Sequence, residues 1–182
     1  MATKFDIVSQ ALILMGEAPI SSFSEGTSGL VAENLYETTL DGLLTSHRWR
    51  FAIGKQEFNR LTASPLDGFK YAYQIPSQLI MLIKVSNNPA YEIYEDKLYT
   101  DASKVIADYI YRPDTEKFPP YFIEALAARL AETMSLGITN NLSLREAMGE
   151  LAARRFAEAT HKDAQGRPPS AINRRPFIDV RR

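Results

Sequence analysis

Four carboxylates, Glu92, Glu95, Asp96 and Asp101, fall within ten residues of one another. Gathered on one hairpin, such groups could bind a divalent cation or flank a glycosidic bond. Their spacing matches no cation-binding loop, and on an exposed hairpin acidic side chains keep a strand edge soluble, which is the first reading here. A second reading is electrostatic, since an acidic surface that faces DNA without binding it repels phosphate. His47 and His161 stand 114 positions apart, with no carboxylate or second His at metal-ligand spacing, so each is read as structural or solvated. Gly26 and Gly29 precede a helical pattern but bring no Lys to meet a phosphate, and no strand leads into them. Ser21, Ser22 and Ser24 sit in a turn with no base nearby, and no Gly-x-Ser-x-Gly elbow is present. No catalytic, metal or cofactor-binding residue is therefore assigned, no cofactor is expected, and the chain is not read as an enzyme.

Basic residues offer a different chemistry. Arg154, Arg155, Arg167, Arg174, Arg175, Arg181 and Arg182 could neutralise several phosphates, giving salt-dependent and sequence-independent DNA binding. The run Arg174, Arg175, Pro176, Phe177, Ile178, Asp179, Val180 also interleaves charge with apolar anchors at extended-strand period, as a peptide docking onto a protein would. Docking ranks first and DNA second. The nine Tyr, nine Phe and single Trp suggest a stacking platform, yet Tyr91, Tyr94, Tyr99, Tyr109 and Tyr111 lie among Glu and Asp, which favours cross-strand packing or a protein interface.

The elements that must position these residues follow from periodicity and breakers. Thr3 and Asp6 form a capping box for a helix whose Ile7, Val8, Ala11, Leu12 and Met15 share a face, and Gly16 ends it. After a Ser- and Gly-rich loop, Ser28 is a cap candidate for a long helix to His47, with a stripe of Leu35, Thr39, Leu43 and Leu44. Trp49 and Phe51 are expected to fill the junction between helices and sheet. From Gln56 to Arg112 the short runs Tyr71–Tyr73, Leu79–Val85, Tyr91–Tyr94, Lys97–Thr100 and Val105–Tyr111 read as one small antiparallel sheet, with successive strands as hairpin partners. Ile80 to Ile83 are apolar on both faces, so that strand is expected to be covered by helices on one side and by something else, such as a neighbouring subunit, on the other. Pro119 and Pro120 open a helix in which Phe122, Leu126 and Leu130 repeat every four residues, and Gly137 stops it. Asn140 or Asn141, or Ser143 with Glu146, caps a last helix that carries Leu144, Met148, Leu151, Arg155, Phe156 and Ala159 on one face and ends near Lys162.

Composition agrees with this layout. The chain has 182 residues, 45% hydrophobic and 24% charged, with no Cys, so thiol chemistry, disulfides and Cys-ligated zinc are excluded and a cytosolic origin is expected. No apolar run approaches the length of a membrane span, no membrane association is expected, and the opening residues lack a signal-peptide core, so a mature start is expected. A net charge of −1 divides unevenly: residues 165–182 hold five Arg and one Asp, which is +4, leaving −5 on the preceding 164. Pro168, Pro169 and Pro176 favour an extended arm there, able to reach about 60 Å.

Three segments then bring a family into view. The first helix closes in Leu14-Met15-Gly16-Glu17-Ala18-Pro19-Ile20. The second carries Ala32, Tyr36 and Leu44 into His47-Arg48-Trp49-Arg50-Phe51-Ala52, and the third piece is Gly68-Phe69-Lys70-Tyr71-Ala72-Tyr73-Gln74-Ile75-Pro76. In order and spacing these resemble the head-to-tail adaptor (connector) proteins of tailed bacteriophages, in the group called tail tubular protein A, with its Trp-x-Phe-Ala and Tyr-x-Tyr-x-(Leu/Ile)-Pro segments. Ser77-Gln78 stands where that family usually carries an Asp.

The resemblance implies a structural virion protein: a homo-oligomeric ring, commonly of about twelve copies, beneath the portal, with double-stranded DNA passing through its lumen without specific binding. Its partners would be the portal protein and a downstream tail or nozzle protein. It would reside in the virion neck after assembly in the host cytoplasm. Arg174, Arg175, Pro176, Phe177, Ile178, Val180 and Arg181 would form the portal-binding arm, and Tyr91, Glu92, Tyr94, Glu95 and Asp96 a hairpin facing the tail or a neighbouring subunit.

The expectation is therefore an α+β chain. Residues 1–164 form an adaptor domain of about four helices (about 3–50 and 119–162) with an inserted small antiparallel β-sheet (about 56–112), and 165–182 form an extended C-terminal arm. Two alternatives stand beside it, a nucleic-acid-binding accessory protein using the Arg-rich tail and a small enzyme using the hairpin carboxylates.

Overall fold

The computed structural model describes residues 2–24, 26–63, 65 and 68–166. The segment read above as an extended arm, with Arg174, Arg175, Pro176, Phe177, Ile178, Val180 and Arg181, lies outside them. The described chain is α+β, with four helices and seven short strands.

Helix α1 (Lys4–Leu14) starts at the expected capping box. The Thr3 hydroxyl accepts from the Asp6 N–H, and the Asp6 carboxylate accepts from the Thr3 N–H at 2.8 Å. The hydrogen bond from the Thr3 N–H, and then one from the Thr3 hydroxyl, hold the Asp6 carboxyl below the usual carboxylate range. Gly16 follows the helix at φ +80°, a left-handed conformation that suits a residue without Cβ. Helix α2 (Gly26–Ser46) begins two residues before the expected Ser28 cap. At Gly29 a Cβ would lie 2.5 Å from the Phe23 carbonyl oxygen, so the loop can fold back over α2 only against a glycine. Helix α3 (Pro120–Thr139) passes through Gly137 and ends instead at Asn140, whose left-handed φ of 50° turns the chain. Gly137 is an ordinary helical residue with Val31 beside it. Helix α4 (Leu142–Gln165) is capped by Asn141, which accepts from the Leu144 N–H.

Helix α3 is the centre of the helical layer. Its Phe122, Leu126 and Leu130, at the expected four-residue spacing, are fully buried with Ile7 and Leu12 of α1 and Tyr36 and Leu44 of α2. Trp49 is fully buried at the junction, as its sequence position suggested, and donates its indole N–H to the Leu43 carbonyl at 2.8 Å. Around it pack Phe51, Tyr121, Phe122 and Phe156.

The inserted β-unit differs from expectation in two ways. It forms two antiparallel sheets rather than one. Strands β1 (Ile53–Glu57), β7 (Ile106–Tyr111) and β4 (Leu79–Val85) make the first in the order β1-β7-β4, while β2 (Asn59–Arg60), β3 (Tyr71–Gln74), β6 (Lys97–Thr100) and β5 (Tyr91–Tyr94) make the second in the order β2-β3-β6-β5. Sequential hairpin pairing also holds for only part of the unit. β5 and β6 pair across a turn with Glu95 at φ 55°, whereas β3 pairs with β6 and β7 lies between β1 and β4.

Strand β7 joins two cores because alternate side chains face opposite ways. Ile110 is buried among the helices, while Ala107 and Tyr109 are buried between the sheets with Phe58, Tyr73 and Leu98. The two apolar faces of β4 are covered in the same manner: Ile80 and Ile83 pack on the helical core, and Leu79 and Leu82 on the inter-sheet core. The expected neighbouring subunit is thus replaced by the second sheet of the same chain.

Candidate functional site

Helices α2 and α4 both pack on α3 but scarcely touch each other. The gap between them is a groove of about 510 Å³, with α3 as its floor. Its shape follows from side-chain size at helical spacing. Leu35, Thr38, Thr39, Gly42, Leu43 and Ser46 form the α2 wall, Gly149, Ala152, Ala153 and Phe156 the α4 wall, and Ala125, Arg129 and Thr133 the floor. Small residues facing one another across the gap cannot bridge it.

The polar groups of the groove are few and defined. Ser46 donates its hydroxyl hydrogen to the Leu43 carbonyl at 2.7 Å, and Thr133 donates to Leu130 at 3.0 Å. The Thr39 hydroxyl oxygen stands 3.5 Å from that of Thr133. The Arg129 guanidinium is half exposed and gives one N–H to Glu132 at 2.6 Å.

At the Phe156 end of the groove lies a buried acid. Asp163, 4% exposed in the last turn of α4, accepts from the Tyr121 hydroxyl at 2.9 Å and from the Arg50 backbone N–H at 3.3 Å. His47 Nε2 is 3.5 Å away. Burial, and then the hydrogen bond to Asp163, push the Tyr121 hydroxyl up to about 12. The Arg50 guanidinium reaches the end of the helix, where a Cβ on Gly166 would fall 2.0 Å from its Nη1. His161 and Lys162 are exposed beside it in sequence.

The hairpin residues Tyr91, Glu92, Tyr94, Glu95 and Asp96 are all exposed on the edge of the second sheet. Their carboxylates serve separate local partners. Glu92 accepts from the Tyr94 hydroxyl at 2.5 Å, Asp96 from the Gln74 amide at 2.8 Å, and Asp101 from the Lys70 backbone N–H at 2.9 Å. The Gln74 hydrogen bond holds the Asp96 carboxyl below its ordinary range. Among the described residues no group of three or more His, Asp or Glu converges as a cation site requires. Nor is any described helix long and apolar enough to cross a membrane. Arg155 of α4 is engaged with Glu124 and Glu158.

Sequence reasoning did not single out Asp163, Tyr121, Arg129 or Thr133. Asp163 resembles any solvated acid until its partners, 42 and 113 positions away, are known. The groove did leave a signal, since Gly42 and Ser46 on one helix and Gly149, Ala152 and Ala153 on another put small residues on single faces.

No family model matches the chain. A protein of Lactiplantibacillus plantarum named "nucleotide-binding protein" is 27% identical over 169 residues, covering 85% of this chain and 54% of that protein. The chain thus spans about half the length of this curated relative. The match overturns the head-to-tail adaptor expectation: a relative that aligns with most of the chain is named for binding nucleotides, not for joining a capsid to a tail.

Proposed function

We propose that this chain is a nucleic-acid-binding accessory protein, a binder rather than a catalyst, that engages phosphates through its Arg-rich C-terminal segment. The observation that carries the reading is the division of charge, with +4 on residues 165–182 and −5 on the rest. An acidic body disfavours the nucleic-acid backbone, so backbone contact is concentrated on Arg167, Arg174, Arg175, Arg181 and Arg182 and on the cations at their root. Arg50, lying against Gly166, supplies such a cation, with exposed Lys162 one turn earlier. The relative is named for binding nucleotides, which share the phosphate group with a nucleic acid.

Fluorescence anisotropy with labelled single-stranded and duplex oligonucleotides, from about 50 to about 300 mM salt, tests this. The five C-terminal arginines alone predict that log K falls against log[salt] with a slope of roughly −3.5 to −4.5, steeper where Arg50 and Lys162 also engage, and equal for unrelated sequences. Replacing Arg174, Arg175, Arg181 and Arg182 by Gln should make the slope shallower by about 3. No binding at about 50 mM salt, or a slope untouched by the four substitutions, would overturn the proposal.

A further inference from the structure

The groove between α2, α3 and α4 has the volume of a small-molecule site, and its chemistry is more specific than an apolar slot. Sites of about 300–1,000 Å³ with apolar walls and a few convergent polar groups hold cofactor-sized ligands, and this one measures about 510 Å³. Two of its four hydroxyls are biased. The hydrogens of Ser46 and Thr133 are committed to carbonyls of their own helices, so these groups offer lone pairs to anything in the groove. The floor carries one cation, Arg129, and Glu132 uses only part of its five-donor fork. Phe156 is held edge-on against Trp49, with ring centroids 6.0 Å apart at 84°, so it forms a fixed aromatic wall. Acceptors, an aromatic wall and a guanidinium together suit a flat ring with an N–H₂ edge joined to an anion.

We infer that this groove binds a single nucleotide, with an amino-bearing base between α2 and α4 and its phosphate on Arg129. The inference rests on the nucleic-acid-binding reading above and assigns it a second site distinct from the Arg-rich segment. An acyl chain or an apolar helix would have no use for hydroxyl acceptors, whereas the exocyclic amine of adenine, cytosine or guanine would pair with one of them. Adenine should be preferred over hypoxanthine, which replaces that amine with a carbonyl oxygen and so sets acceptor against acceptor.

Gly42 makes the test clean. A Cβ there meets nothing within 4 Å and the residue is helical, so Gly42→Leu extends into the groove without disturbing the core. Calorimetric titration of the full chain with adenosine 5′-monophosphate should give saturable binding, weaker by about tenfold or more for inosine 5′-monophosphate. Arg129→Gln should weaken adenosine 5′-monophosphate binding to a similar degree. Gly42→Leu should abolish it without lowering the thermal midpoint and with the salt-dependent oligonucleotide binding in place. Equal affinity for the two nucleotides, or full binding by Gly42→Leu, overturns the inference. If neither nucleotide binds while oligonucleotides do, the groove assignment falls and the Arg-rich segment keeps its role; if oligonucleotides also fail, both fall. A change of oligomeric state in Gly42→Leu with no nucleotide bound to the wild type would reassign the groove to protein contact and overturn it.

Discussion

His47 Nε2 stands 3.5 Å from Asp163 Oδ2, tying the residue after α2 to the last turn of α4. A carboxylate at a helix C-terminus opposes the helix dipole. At Asp163 that cost is offset by the Tyr121 hydroxyl, the Arg50 N–H and the His47 ring, all on elements distant in sequence. The cluster fixes where the end of α4 leaves the helical layer.

Removing the Asp163 carboxylate should therefore cost more than removing a surface acid. Asp163→Ala leaves the part-buried Tyr121 hydroxyl and Arg50 N–H without their acceptor and is expected to destabilise the chain by about 1–2 kcal/mol, with Asp163→Asn costing about half as much. Urea unfolding at neutral pH measures both. A cost below about 0.5 kcal/mol for Asp163→Ala, the range of ordinary surface substitutions, would show that the cluster is not structural.

Two glycines of α2 should respond in opposite directions. Gly29→Ala forces a Cβ to within 2.5 Å of the Phe23 carbonyl oxygen, which is backbone and cannot swing away. Strain of this kind costs about 1–3 kcal/mol. Gly42 is helical with open space around it, so Gly42→Ala should raise stability by about 0.5–1 kcal/mol through helix propensity. Thermal midpoints of the two variants should shift in opposite senses.

Alkaline pH should weaken the fold through two tyrosines. Burial pushes the Tyr36 hydroxyl up to about 12, and burial with the Asp163 hydrogen bond does the same for Tyr121, against an ordinary value of 10. A folded-state value raised above the unfolded one favours the neutral hydroxyl in the fold. The associated stability is fully present below pH 10 and is lost as pH rises from 10 through about 12. For Tyr36, which is 1% exposed, the loss is on the order of 2 kcal/mol. Unfolding midpoints at pH 9, 10 and 11 should fall progressively in the wild type and less steeply in Tyr36→Phe. Parallel curves for the two proteins would refute the assignment.

Much of the helical framework was legible because its signals are local. The Thr3 and Asp6 box, the Gly16 stop, the Asn141 cap and the four-residue spacing of Phe122, Leu126 and Leu130 act within one or two turns, where hydrogen bonds and side-chain faces depend on near neighbours. Strand β1 was missed for an equally physical reason. Ile53–Glu57 contains Gly54 and Lys55, which carry no alternating apolar pattern, and the strand is held instead by β7, whose Tyr109 ring lies 2.8 Å from where a Gly54 Cβ would be.

The candidate sites divide along the same line. Charge is additive and needs no fold, so the acidic body and basic C-terminal segment, and with them the phosphate-binding reading, come from composition alone. Which strand pairs with which is not local. Alternation in Ile106–Tyr111 shows that two faces are apolar, yet only the assembled chain puts helices against Ile110 and a second sheet against Tyr109. The groove is likewise tertiary, because small residues on α2 and α4 become opposing walls only when both helices dock on α3 without meeting. Asp163 gains its partners by the same route, across 42 and 113 positions of chain. Short-range hydrogen bonds and summed charge are written in the sequence itself, while a groove or a buried acid exists only once distant segments share the same space.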